Sequence, residues 1–288
     1  MLELAAFSIV ACDLKLQAWG VAVASKFPAV GAVAPWAKAR SGVVSTQALA
    51  NTTFGPRGLE MMAGKLSAED TLSKLVSGDK DRDHRQVGLV DAAGRAASYT
   101  GSQCSQWAGG LTGNGYAIQG NLLTGAEVIQ QMERAFLDAK GELPERLFAA
   151  LAAGGQAGGD RRGRQSAALY VVRSKAGYGG HDDRWVDLRV DYHLNPIPRL
   201  GELLELHRLY FGRSPRSGRI KLEGDVVKDI QRIMKSLGYY ATVDGQYDDA
   251  TREAFRIFIH NENFEERADP DAGWIDEPVL NYLTRKLE

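Results

Sequence analysis

The sequence predicts an α+β chain: a four-layer αββα sandwich followed by a small three-helix domain. Three observations carry that expectation. Residues 5–34 hold two short runs of small and β-branched residues around a polar break, and read as a β-hairpin packed on both faces. A two-stranded hairpin cannot cover both of its own faces, so it belongs at the centre of a layered domain. Beyond it, sets of strands alternate with pairs of helices. That order suits two stacked antiparallel sheets with helices outside; a doubly wound parallel sheet would need a helix after each strand. Lastly, residues 213–218 (Arg-Ser-Pro-Arg-Ser-Gly) interrupt all periodicity, and the texture after them changes. The expected organisation is a sandwich domain over 1–212, a linker over 213–220 and a helical domain over 221–288.

The elements follow in order. Residues 41–48 read as a third short strand, and a helix opens at Phe54 with Pro56 in its first turn. A second helix starts at Ser67, which can cap it, with Asp70 at the third position and Leu72, Leu75 and Val76 on one face. Residues 85–91 and 95–100 flank Gly94 and form a hairpin; residues 115–121 are a further strand. Helices over 125–139 and 143–153 carry apolar residues at helical spacing. A glycine-rich stretch, 154–163, precedes strands at 165–172 and 184–190 and a helix over 197–210. Past the linker, Val226, Val227, Ile230, Ile233, Met234 and Leu237 make a helical stripe, Asp248 or Asp249 can cap a second helix, and Val279, Leu280 and Leu283 mark a third.

The chain has 288 residues and a formal net charge of −1. It therefore has no general basic field for nucleic acid, and no basic patch with interleaved aromatics supplies a local one. No apolar run reaches the length of a membrane span, and Glu3 interrupts the apolar start where a signal peptide would need continuity. A soluble cytoplasmic protein without membrane association is expected. Cys12 and Cys104 read as buried thiols. The five histidines (His84, His181, His193, His207 and His260) show no metal-ligand spacing. No metal or other cofactor is expected, and no phosphate-loop or dinucleotide fingerprint appears.

Several segments carry a family resemblance: residues 7–11 (Phe-Ser-Ile-Val-Ala), 20–27 (Gly-Val-Ala-Val-Ala-Ser-Lys-Phe), 46–51 (Thr-Gln-Ala-Leu-Ala-Asn), 54–59 (Phe-Gly-Pro-Arg-Gly-Leu), 119–121 (Gln-Gly-Asn) and 158–169. Through them, residues 5–211 resemble the bacterial and archaeal family known as domain of unknown function 1028. The resemblance implies the fold of the N-terminal-nucleophile (Ntn) hydrolases and, by ancestry, an amide-bond hydrolase of amidohydrolase or peptidase type. Such enzymes use a Thr, Ser or Cys whose own free amine is the base. Related sequences commonly place a Thr just before the Phe-Ser-Ile-Val-Ala strand; here that position is Ala6. The remaining catalytic candidates are Ser8, Ser25 with Lys26, and Thr46, beside Ser45. Substrate-binding candidates are Gln47, Asn51 and Asn121, together with Asp160, Arg161, Arg162, Gln165 and Ser166 around the glycine-rich loop. There, exposed N–H groups and guanidinium forks suit an oxyanion or a carboxylate. Residues 221–288 are similar to peptidoglycan-binding domains through Ile230-Gln231, Leu237 to Tyr240, Val243 to Tyr247, Thr251 and Ala254-Phe255.

Two readings follow. One is an Ntn-type hydrolase acting on a small-molecule or peptide-like substrate. The other is a catalytically inactive Ntn-fold binding protein that recognises a small carboxylated or peptidoglycan-like ligand, with a peptidoglycan fragment as partner of the C-terminal domain. A homodimer is expected by analogy only.

Overall fold

A computed structural model describes residues 3–212, 214–240 and 242–286. The chain divides into two compact units, Met1–Leu203 and Leu204–Glu288. In chain order the first unit contains β1 (Ala6–Asp13), β2 (Ala18–Ser25), β3 (Pro35–Lys38), β4 (Gly42–Ala48), α1 (Phe54–Ala63), α2 (Ala68–Ser77), β5 (Arg85–Asp91), β6 (Ala96–Thr100), β7 (Gly109–Gly113), β8 (Tyr116–Gly120), α3 (Glu127–Asp138), α4 (Leu143–Gln156), β9 (Ser166–Arg173), β10 (Arg184–Val190) and the start of α5 (Pro196–Phe211).

The strands form two antiparallel sheets, ordered β10-β9-β2-β1-β8-β7 and β3-β4-β5-β6. The β1–β2 hairpin is at the middle of the larger sheet, and almost every residue of both strands is buried. One face of the larger sheet meets α3 and α4, one face of the smaller meets α1 and α2, and β1 faces β4 while β8 faces β5. Val10, Val21, Val43, Val90, Ala117 and Val172 meet in a shared apolar cluster drawn from both sheets. Each buried branched side chain of this kind contributes about 1.5–3 kcal/mol of transfer free energy. Val44, Phe54, Leu59, Met62, Leu75 and Leu89 fill the layer under α1 and α2. Close approach there depends on glycine: a Cβ on Gly55 would fall 2.2 Å from Cγ of Trp36.

Most expected elements form where the pattern puts them. Ser67 caps α2 as predicted, its Oγ accepting from the Asp70 N–H at 3.0 Å and donating to the Asp70 carboxylate at 2.6 Å. Two strands are additional. β3 opens on Pro35 and β7 reads Gly-Gly-Leu-Thr-Gly. Both are edge strands, where proline and glycine are tolerated because one side of the ladder is unused.

The second unit adds β11 (Arg219–Lys221), α6 (Asp225–Ser236), α7 (Asp249–Asn261), β12 (Ala268–Asp269), β13 (Trp274–Asp276) and α8 (Glu277–Arg285). The three expected helices are joined by an unforeseen three-stranded antiparallel sheet, β11-β13-β12. Asp248, rather than Asp249, caps α7, accepting from the Thr251 N–H at 2.8 Å. Phe255, Phe258, Ile230, Met234, Val279 and Leu209 build the core. Gln231 is fully buried: its amide donates to Asp244 Oδ1 at 2.9 Å and accepts from the N–H groups of Asp244 and Gly245 at 3.0 and 2.8 Å. The Gln231, Asp244 and Gly245 motif positions therefore fasten a loop onto a helix. Arg267, 2% exposed, pairs with Asp276 at 2.7 Å and donates to the carbonyls of Arg208, in the last turn of α5, and of Gly212, just beyond it.

Candidate functional site

The β1–β2 register sets Ala6 opposite Ser25, and the β2–β9 register sets Ser25 opposite Ser166. Leu4, just upstream, bridges to Ala48 of β4 through two backbone bonds of 2.8 and 2.9 Å. Ala5 and Ala6 are completely buried. The Ala5 carbonyl accepts from Ser25 Oγ and, at 3.0 Å, from Arg162 Nη2. The Ala6 carbonyl accepts from Gln47 Nε2 and the Asn121 N–H, both at 3.0 Å. Four donors thus converge on two successive peptide carbonyls.

The glycine-rich loop supplies one of them. Gly158, Gly159 and Gly163 all have positive φ, which lets the chain fold back immediately after α4. Asp160, 4% exposed, is saturated: Oδ1 accepts from the Arg162 N–H and Nε, and Oδ2 accepts from Arg162 Nη2 and the Lys26 N–H, all at 2.7–3.0 Å. The expected anion-binding loop is therefore pinned by its own Asp160–Arg162 pair. Outside it, Lys26 and Arg161 are exposed, and neither side chain has a partner among the described residues. Arg164 reaches Asn195 at 3.3 Å, and the His193 N–H donates to the Gln165 carbonyl, so exposed Tyr192 and Leu194 border this basic rim.

Behind Ala6, between the sheets, lies a ladder of neutral polar side chains. Ser8 Oγ donates to Gln47 Oε1 at 2.7 Å and accepts from Gln119 Nε2 at 2.7 Å and Ser45 Oγ at 3.1 Å. Gln47 Nε2 donates to Gln86 Oε1, which also accepts from Asn121 Nδ2, both at 2.8 Å. Gln86 Nε2 continues to Thr100 Oγ1 at 2.9 Å and the Gly120 carbonyl at 2.8 Å. Ser8, Ser45, Gln47, Gln86, Gln119 and Asn121 are all fully buried. Gln119 fills the space over Gly88 of the opposite sheet; a Cβ there would be 2.0 Å from Gln119 Oε1.

The structure brings Ser8, Gln47, Gln119 and Asn121 into one network, and gathers Ser25, Asp160, Arg162 and Ser166 at the start of β1. It does not bring Lys26 to Ser25: Ser25 is buried and bonded to Ala5, while the Lys26 side chain is exposed. Thr46 Oγ1 donates to the Asn51 carbonyl at 3.3 Å, and Ser166 Oγ donates to the Phe27 carbonyl while accepting from the Val30 N–H. Gln165 touches the site through its backbone, its N–H donating to the Ser25 carbonyl at 3.1 Å. The Asn51 amide is turned to Asp79 at 2.8 Å, away from a ligand role. Asp79 also pairs with Arg85 at 3.0 Å. Burial alone would raise the Asp79 pKa; hydrogen bonds from Arg85, Asn51 and the Asp81 N–H outweigh it and hold the carboxyl below its ordinary value. Burial pushes both thiols, Cys12 and Cys104, up to about 11, which keeps them protonated and poor nucleophiles. Sequence reasoning missed Gln86, Asp79 and Arg85. The signal for Gln86 is a polar residue at a fully buried position of β5.

Among the described residues no group of three or more His, Cys, Asp or Glu side chains could hold a metal ion, and no helix is long and apolar enough to cross a membrane. The second unit has its own groove of about 600 Å³ between α7 and the β12–β13 hairpin. Its lining includes Arg256, His260, Glu265 and Trp274, and the Arg219 guanidinium lies 3.8 Å over the Trp274 ring.

Two facing antiparallel sheets around a buried hairpin, with polar groups converging where that hairpin begins, define the class of the first unit. The model of a family of unknown function, DUF1028, matches residues 6–200, and the chain belongs to that family. Protein SPO2555 from Silicibacter pomeroyi, a solved structure also described as DUF1028, is similar at 30% identity with a TM-score of 0.65, over 71% of this chain and 89% of that one. Residues 210–283 match a model described as "Putative peptidoglycan binding domain". No curated protein matches the chain.

Proposed function

We propose that the first unit is a four-layer αββα domain of the Ntn type without a working nucleophile, and that the protein acts as a binding protein. Its ligand is a small carboxylated or peptide-like molecule held by Lys26, Arg161 and Arg164 at the rim. The second unit recognises a peptidoglycan-like fragment in the α7 groove. One observation carries this reading: Ala6 has no functional group and is sealed from solvent, and each neighbouring hydroxyl already donates to a fixed acceptor. A nucleophile needs both access and a base within hydrogen-bond reach. Denaturing mass spectrometry of purified protein is expected to give the full-length mass, and calorimetry to register a carboxylated peptide whose binding weakens in a Lys26→Ala/Arg161→Ala variant. A shortened chain with a new Ser or Thr at its N-terminus would sink the proposal.

A specific observation favours a second reading, an amide-bond hydrolase. Ser25 Oγ and Arg162 Nη2 both donate to the Ala5 carbonyl, a donor pair of the kind that stabilises an oxyanion. Under that reading the purified protein hydrolyses a small amide substrate and Ser25→Ala loses that turnover; under the binding reading neither protein shows any.

A further inference from the structure

The smaller sheet ends at β6 and the larger at β7, and these two edge strands come together. Between them is a cleft of about 490 Å³, well within the range of small-molecule sites. None of its lining residues carries a charge. Four of them, Ser98, Thr100, Ser102 and Thr112, bear hydroxyls, and Gln106 bears an amide. Three of these side chains keep hydrogen-bonding capacity that no protein group uses. Ser98 Oγ is buried with no partner. Thr100 Oγ1 accepts from Gln86 Nε2, which leaves its hydrogen free to donate. Gln106 Oε1 accepts from the Ala108 N–H at 3.1 Å, which orients the amide and leaves its NH₂ without a partner. Gly110 lets β7 pack tightly against its neighbours: a Cβ there would fall 2.7 Å from the Ile118 carbonyl and 3.0 Å from Ser98 Oγ.

We propose that this cleft binds an uncharged, polyhydroxylated ligand, a saccharide of one or two rings. A charged ligand would give up hydration with no opposite charge to meet it. A mainly apolar ligand would cover the cleft's accessible hydroxyls and the Gln106 amide without pairing them. A ligand with donors and acceptors on every side satisfies both strand edges at once. This inference is independent of the nucleophile question and of the basic rim.

The test is calorimetric titration of the full chain with chitobiose and maltose, beside glucuronic acid and an uncharged pentapeptide. Saturable binding of a neutral disaccharide is expected, weakened about tenfold or more by Ser98→Leu, which fills the cleft, and by Ser102→Trp, which blocks its exposed mouth. Where circular dichroism shows that Ser98→Leu does not fold, Ser102→Trp decides alone. Failure of both disaccharides to saturate, equal affinity in the folded variants, or tighter binding of glucuronic acid or the pentapeptide would each overturn the proposal.

Discussion

Ser8 shows how a residue suited to catalysis is used for cohesion. Its hydroxyl is the donor to Gln47 Oε1 and the acceptor for Gln119 Nε2, so Ser8→Ala strands two buried amides at once. The expected cost is about 2 kcal/mol, read as a lower denaturation midpoint with an unchanged slope. Asp79 sets a pH limit. Its folded pKa lies below the unfolded value of about 3.9, so its contribution is complete above that value and is lost as pH falls through the folded pKa. An acid titration of stability followed by circular dichroism should therefore drop below about pH 4, and Asp79→Asn should flatten that drop. Residue types alone pointed to Ser8, Asn121 and Asp160 as polar positions that matter. They could not reveal the partners, because Gln47, Gln86 and Gln119 reach one another only once three distant strands are stacked.

Elements were legible where one face or one cap dictates them. The β1–β2 hairpin, the Ser67 cap of α2 and the apolar stripes of α3, α4 and α6 each follow from local pattern. β3, β7 and the short strands of the second unit were not legible, since strands of two to five residues are too short to show a period in the sequence. Helix packing offers a sharp check. Gly55→Ala inserts a methyl group 2.2 Å from Trp36 Cγ, so it should cost about 1–3 kcal/mol despite its better helix propensity. Chemical denaturation would measure the loss, and altered Trp36 fluorescence would locate it.

At the scale of the whole molecule, each of the two units carries its own apolar core. In the second unit, Arg267→Met leaves Asp276 buried without its counter-charge and takes a donor from the Arg208 and Gly212 carbonyls, at an expected cost of about 3–5 kcal/mol. Hydrogen exchange resolved by peptide should register this as faster exchange in residues 204–286. The junction of the two sheets has a different kind of consequence. Gln119 of one sheet occupies the room that Gly88 of the other leaves empty. Neither position is free to drift alone: a larger residue at 88 needs a shorter one at 119. Over descent the two sites should therefore change as one heritable character, and pairing substitutions at 88 and 119 across a lineage would reveal the packing of the sheets to someone holding only sequences.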